Sequence, residues 1–304
     1  MIEPIAFKFN KQTASNNYFQ KKNDSLTNDK VQANALVEFK ALVRKLEEKG
    51  VSVLVFKDND DLNTPDAIFP NNWISFHENK SVVLYPLYAK NRRYERRIDI
   101  IDSLRKEHNF SISKILDYSE FEDNAQFLEG TGSLMLDREN KICYACLSER
   151  TNKELVLKFC KDFSFTPILF NAFQTVNKER LKIYHTNVIM NIGITYAVVC
   201  FDAIDKVDEK EMVRDQLLKS GKDIIEINES QLDQFAGNML QVMGDQPYLV
   251  MSLTAYNSLS KEQISRLESH NPIIHSNLST VENYGGGSAR CMMAEIFLPT
   301  KKEL

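Results

Sequence analysis

Cys291 stands in the run ENYGGGSARCMMAEIF, after three consecutive glycines and an arginine and ahead of an apolar stretch. A thiolate is a strong nucleophile, but at neutral pH it is scarce unless a cationic neighbour or local dipoles lower the thiol pKa. His185, in YHTNVIM, can be that neighbour, and Glu129, in LEGTGSLML, can orient the imidazole and stabilise its charged form. Those are the three roles of a nucleophile–base–orienter arrangement. Singly, each residue has a bland reading: a cysteine before a strand fills core, a histidine satisfies a structural bond, and Glu-Gly makes a turn. Spacing is what joins them. Asn72, Glu129, His185, Asn238 and Cys291 each precede a short apolar stretch, at steps of 57, 56, 53 and 53 residues.

A near-constant period means repeated supersecondary units, and five such units closed in a ring would bring all five markers towards one axis. The elements between them support this. VQANALVEFKALVRKLEEKG places apolar residues at 31, 35, 39, 42 and 46 and ends on Gly50, which predicts a helix with a glycine cap, and VSVLVF then predicts a strand. SVVLYP, the charged RRYERRIDIIDSLRKEH and SISKIL repeat strand, helix and strand. The strand KIYHTNVIMN, the apolar run GITYAVVCF and the helix DEKEMVRDQLLKS continue the alternation. The class is α/β or α+β, and with no Pro/Gly/Ser-rich linker residues 1–304 read as one domain. The Lys- and Asn-rich stretch 10–30 reads as a surface loop, and the charge on RRYERRIDIIDSLRKEH as a solvated helix face.

Composition narrows the function. With 43% apolar residues the chain can bury a large core, and a formal charge of −4 offers no basic field for nucleic acid or an anionic membrane. No signal-like leader and no apolar run of about 18 residues is present, so the protein reads as cytoplasmic. Five cysteines at irregular spacing fit a reduced compartment, which leaves Cys291 a free thiol. Cys143 and Cys146 form a CxxC with no second pair at zinc-ligand spacing, so they read as packing, as do Cys160 and Cys200; no metal is expected. His77, His108, His270 and His275 fall off the period and receive no catalytic role. Oligomeric state is not legible, and a homo-oligomer is compatible with the sequence.

The ordered set PDAIFPNN, LEGTGSLML, LSERT, YHTNVIM and GGGSARCMM resembles the guanidino-group-modifying, or pentein, superfamily, and within it most nearly the citrulline-utilisation hydrolases, over roughly Val51 to Pro299. The resemblance implies a five-bladed α/β propeller of pseudo-fivefold symmetry, with no cofactor and a small amino-acid substrate. It also implies Cys291 as nucleophile, His185 as general acid/base and Glu129 as the residue that binds the reacting group or orients the histidine. By the same resemblance Asp66 in PDAIF lines the site, although by itself it reads equally as a turn residue after Pro65. Arg150 in LSERT would hold the substrate α-carboxylate through its fork-shaped guanidinium. Two departures from the deiminase pattern are Asn72 and Asn187, where deiminases carry aspartates. An amide supplies donor and acceptor, which suits a neutral ureido group better than a guanidinium. The expected activity is therefore hydrolysis of citrulline to ornithine, ammonia and carbon dioxide. Arginine dihydrolase or deiminase, amidinotransferase, and a non-catalytic propeller that only binds remain open. Arg290 has no assigned role.

Overall fold

The computed structural model describes residues 1–21, 26–59 and 62–301. Residues 22–25, within the stretch read as a loop, lie outside the described residues. Four stretches of chain repeat one unit: two antiparallel strands, a helix, and a third strand parallel to the second. In the first unit Ile74–His77 pairs with Ser81–Leu84, and the chain crosses through helix Ile98–Lys106 to Lys114–Asp117. The second joins Met135–Asp137, Ile142–Cys146, helix Lys153–Phe163 and Thr166–Phe170. The third runs Met190–Ile192, Tyr196–Val199, helix Val207–Lys219 and Asp223–Glu226. The fourth runs Leu240–Met243, Pro247–Ser252, helix Lys261–His270 and Ile273–Ser276.

The pattern follows from the residues. Ser81–Leu84, Ile142–Cys146 and Tyr196–Val199 are buried throughout, as central strands covered on both faces must be. A parallel third strand needs a crossover, and in each unit the helix supplies it. The helices are bounded as their sequences dictate: Asn152 accepts a hydrogen bond from Leu155 N, and Ser164 takes a left-handed conformation with φ of 58° at the far end of the same helix.

The remaining segments pair across the chain. Helix Asn28–Glu47 buries Val31, Ala35, Phe39, Leu42 and Leu46, the five residues its period singled out. It joins Ile2–Glu3 to Phe56–Lys57, which run parallel. VSVLVF is thus a strand only at its last residue. Val51, Val53 and Leu54 pack half-buried against the core, with Leu54 O accepting from Met1 N at 2.8 Å. The charged 92–108 segment is also not one helix. It divides into a 3-10 turn, Lys90–Glu95, and the helix Ile98–Lys106, and the turn buries Arg92 and Glu95. That corrects the reading of its charge as wholly solvated. The stretch from residue 10 is a loop, but not a surface one: Asn10, Thr13 and Asn17 are buried.

Candidate active site

Four of the period markers stand at or just before the segment that leads into the first strand of a unit, and the fifth, Cys291, lies in a turn of its own. Asn72 ends the 3-10 turn Pro70–Asn72, Glu129 precedes the turn Gly130–Ser133, and His185 precedes the turn Thr186–Ile189. Cys291 lies in the 3-10 turn Ala289–Met292, and Asn238 stands two residues before Leu240–Met243. The turns adjoin: Gly130–Ser133 packs against Pro70–Asn72 and Thr186–Ile189, and Pro70–Asn72 packs against Ala289–Met292. Glycine makes this approach feasible. Gly130 has φ of +46°, and a Cβ there would lie 2.2 Å from Asn71 O; a Cβ on Gly132 would meet Asn72 Nδ2 at 2.5 Å and His185 Cε1 and Nδ1 at 2.8 Å.

His185 Nε2 lies 2.7 Å from Glu129 Oε2, so the imidazole and the carboxylate share a hydrogen bond and Nδ1 is left to face the site. The other Glu129 oxygen accepts from Tyr88 N at 3.0 Å. Burial alone would raise the Glu129 carboxyl, but Arg150, His185 and Arg92 outweigh it and hold it well below the usual carboxylate range. Burial pulls His185 down to about 4. Glu129 opposes that shift, and Arg150 and Arg92 add to it. The imidazole is thus neutral at pH 7.

Cys291 is buried, and its sulfur accepts from Asn187 Nδ2 at 3.4 Å and Asn238 Nδ2 at 3.3 Å. Asn238 Nδ2 also donates to Asn187 O at 3.0 Å, which ties the His185 turn to the nucleophile. Among the described residues no hydrogen bond joins His185 to Cys291 directly. Asn238 Oδ1 lies 3.6 Å from the same sulfur and can accept from the thiol. The preceding loop is braced from beneath: Ser288 Oγ donates to buried Glu282 at 2.7 Å, and Glu38 of the long helix accepts from Thr280 N and Val281 N at 2.9 and 3.0 Å.

Two anticipated binders stand differently from expectation. The Arg150 guanidinium is buried, 3.5 Å from Glu129 Oε2, and donates through Nη2 to Thr13 O at 2.9 Å and through Nε to Asn16 Oδ1 at 3.0 Å. Its plane lies over the Tyr184 ring at 4.7 Å. It therefore faces no open carboxylate site while the 10–21 segment covers it. Asn72 Oδ1 accepts from Arg92 Nη1 at 2.8 Å, which leaves Asn72 Nδ2 without a partner; Asn187 Oδ1 is likewise unpartnered. Asp66 is buried, accepting through Oδ2 from Asn10 Nδ2 at 2.7 Å and Thr13 Oγ1 at 3.2 Å, with Oδ1 unpartnered. Burial raises its pKa, and Arg92 only partly offsets this.

Arg92 is the residue that sequence reasoning missed. It is buried, forms a bidentate pair with buried Glu95, and lies 3.8 Å from Asp66 and 4.0 Å from Glu129. Arg290, by contrast, turns away from the site: Nη1 donates to Met293 O at 3.0 Å and Nη2 to Glu295 Oε2 at 3.0 Å. It supports the loop. The other cysteines are buried and free, and His77 packs against Phe163 with ring centroids 4.1 Å apart. No group of three or more His, Cys, Asp or Glu among the described residues is placed to hold a metal, and no helix among them is long and apolar enough to cross a membrane.

The model of the eukaryotic N,N-dimethylarginine dimethylhydrolase family matches residues 3–298. The chain belongs to this family. As a dimethylarginine dimethylhydrolase-family member it falls within the guanidino-group-modifying superfamily that its motifs resemble. No curated protein sequence is close enough to count as a match. Among solved structures, the N-terminal domain of ArgZ covalently bound to a reaction intermediate is 17% identical with a TM-score of 0.72, and the match covers 98% of both chains. Full-length ArgZ, an arginine dihydrolase from the ornithine-ammonia cycle in cyanobacteria, is also 17% identical, at a TM-score of 0.73; 99% of this chain covers 40% of that one. A dimethylarginine dimethylaminohydrolase adduct with S-methyl-L-thiocitrulline is 17% identical, TM-score 0.63, over 96% of both. At these identities the likeness establishes the shared α/β fold.

The buried histidine has a consequence for this family member's acid stability. An unfolded histidine titrates near 6.5, whereas His185 in the fold titrates at about 4. Between those values the unfolded chain binds a proton that the native state refuses, so this contribution is full above about pH 6.5 and is lost as pH falls towards 4. Relative to His185→Gln, which has nothing to titrate there, the native protein should lose on the order of 3 kcal/mol between pH 7 and pH 4. Parallel urea unfolding at several pH values measures it. Curves for the two proteins that stay a constant distance apart would refute a depressed His185.

Proposed function

We propose that the protein is a cysteine hydrolase of guanidino C–N bonds, acting on arginine or an N-substituted arginine. The observation that carries this is the buried acceptor Asp66 Oδ1, which has no hydrogen-bond partner while Oδ2 accepts from Asn10 and Thr13. Burial raises the Asp66 carboxyl and pushes Glu95 up to about 8, so a cation brought beside them is favoured. A buried acceptor without a partner is costly, and a guanidinium N–H removes the cost. This favours the arginine dihydrolase or deiminase alternative over the citrulline hydrolysis first expected from the asparagines. Citrulline stays as a second reading because Asn72 Nδ2 is a free donor that only a ureido oxygen could use.

In the proposed reaction the Cys291 thiolate adds to the guanidinium carbon. A proton passes to the departing nitrogen through His185, and ammonia or an amine leaves an S-linked amidino intermediate. Water, deprotonated by His185 Nδ1, then displaces the sulfur. One cycle gives citrulline; a second attack on the ureido carbon would give ornithine, ammonia and carbon dioxide. The same reading takes the fold as a single five-bladed α/β propeller, with the fifth blade assembled from 293–298, Ile2–Glu3, the long helix and Phe56–Lys57. Arginine, N,N-dimethylarginine and citrulline incubated in parallel, with citrulline, ornithine and ammonia scored, test it. Turnover of citrulline alone would overturn the guanidino reading.

For the substrate carboxylate to reach Arg150, the 10–21 segment must give up its bonds to that guanidinium. Arg150→Lys keeps the charge but loses the fork, so kcat/KM for arginine should fall by roughly one to two orders of magnitude. An analogue lacking the α-carboxylate should be much less affected. Equal losses would make Arg150 purely a support for Glu129.

A further inference from the structure

The first strands of the units carry the candidate site at their N-terminal ends, and their C-terminal ends surround something else. Asp137 and Arg138 close one strand, Ile192 another and Val242 and Met243 a third, and with Val51, Leu54, Met293 and Phe297 they line a cavity of about 700 Å³. None of Cys291, His185 or Glu129 reaches it. Its volume is that of a small-molecule pocket, and its walls are mainly aliphatic. Exposed Ser52, Glu78, Glu139, Ile194 and Met243 mark its mouth.

Several of the polar groups inside are committed. Buried Asp137 is paired with buried Lys222 at 3.1 Å, and Lys222 Nζ also donates to Ile194 O at 2.7 Å. Glu295 is held by Arg290 at 3.0 Å. Arg138, half-buried in the wall, forms no ion pair with any carboxylate among the described residues. Its guanidinium stacks on the Phe297 ring at 3.8 Å, and a long 3.4 Å contact to His77 Nδ1 is its only hydrogen bond among the described residues. Stacking uses the face of the guanidinium and leaves its N–H edge free to bind a carboxylate in bidentate fashion. Burial disfavours its charged form, with Arg290 adding to this and Glu295 and Glu78 opposing, and an anion seated on Arg138 would relieve it.

We propose that this cavity is a second binding site, for a small organic anion with an apolar body, its carboxylate on Arg138 and its body against Leu54, Val242 and Met293. Octanoate is the probe, with 1-octanol and octylamine as the same body carrying a neutral and a cationic head. Calorimetry should show octanoate binding with a Kd below about 1 mM. Arg138→Gln should weaken octanoate at least about tenfold and leave 1-octanol unchanged, since a charge-assisted bond is lost and the cavity is not. Filling the cavity by Val242→Trp should abolish both, and alkylation of Cys291 should alter neither. Octanoate affinity unchanged by Arg138→Gln, octylamine binding as tightly as octanoate, or loss of binding on Cys291 alkylation would each overturn the proposal. If Arg138→Gln disturbs the fold and loses 1-octanol too, Arg138→Lys decides: a retained preference for octanoate over 1-octanol supports the site, and a lost preference refutes it.

Discussion

Cys291→Ala should give a folded protein that binds substrate and turns over essentially none of it, with kcat down by about 10⁴-fold or more, because no other group can make the covalent bond. The fold has little reason to object. Cys291 contributes one small side chain to its core cluster, and of the two amides that donate to its sulfur Asn238 is also held by Asn187 O and Arg290 N. Single-turnover product release at a tenth of the native rate or better by a folded Cys291→Ala protein would remove Cys291 from the chemistry. The reagent-level counterpart is stoichiometric alkylation of Cys291 by iodoacetamide, ahead of the other four cysteines, which are buried without such amide donors on sulfur.

The second large effect is expected at Arg92. Arg92→Met removes the one guanidinium that neutralises Glu95 and faces both Asp66 and Glu129, and it strands the Asn72 amide oxygen. Breaking a buried pair from one side costs about 3–5 kcal/mol, since the remaining charge has no solvent to turn to. In a chain of this size that is a fall in Tm on the order of 10 °C. Activity should fall further than stability explains, because Glu129 would lose one of the guanidiniums that hold its carboxyl down beside His185. A double variant, Arg92→Met with Glu95→Gln, should recover part of the lost Tm without recovering activity. If both recover together, Arg92 is only a structural strut.

How much of this was legible in the sequence differs by residue. Glu129, His185 and Cys291 were legible because a repeat places chemically unusual residues where turn chemistry asks for none, and the structure puts Glu129 and His185 just before the turns that open two units and Cys291 in a turn packed against Pro70–Asn72. Helix Asn28–Glu47 was legible because its burial is written in its own period. Arg92 and Glu95 were not. RRYERR has the local pattern of a solvated surface, and what buries it is contact with Asn72, Asp66 and Glu129. The 10–21 segment was misread for the same reason: its partners, Asp66 and Arg150, lie 56 and 137 residues away, beyond any local signal. The strand VSVLVF was overcalled because hydrophobic alternation marks burial, and burial here comes from packing against the core. Asn187 lies against the Cys291 sulfur, whereas Asn72 spends its acceptor on Arg92, a residue that the pattern hid.

The brace beneath the nucleophile loop also bears on how the chain folds. Glu38 caps Thr280 and Val281 across separations of 242 and 243 residues, and Asn17 donates to Gly285 O and Gly286 O across 268 and 269. Each repeated unit can form from near neighbours, but these contacts close nearly the whole chain on itself and must bear that loop entropy. During refolding, helix content should return first and the reactivity of Cys291 last. The thiol acquires its amide partners only when the two distant parts of the polypeptide have met, so enzyme activity serves as the clock for the final folding step.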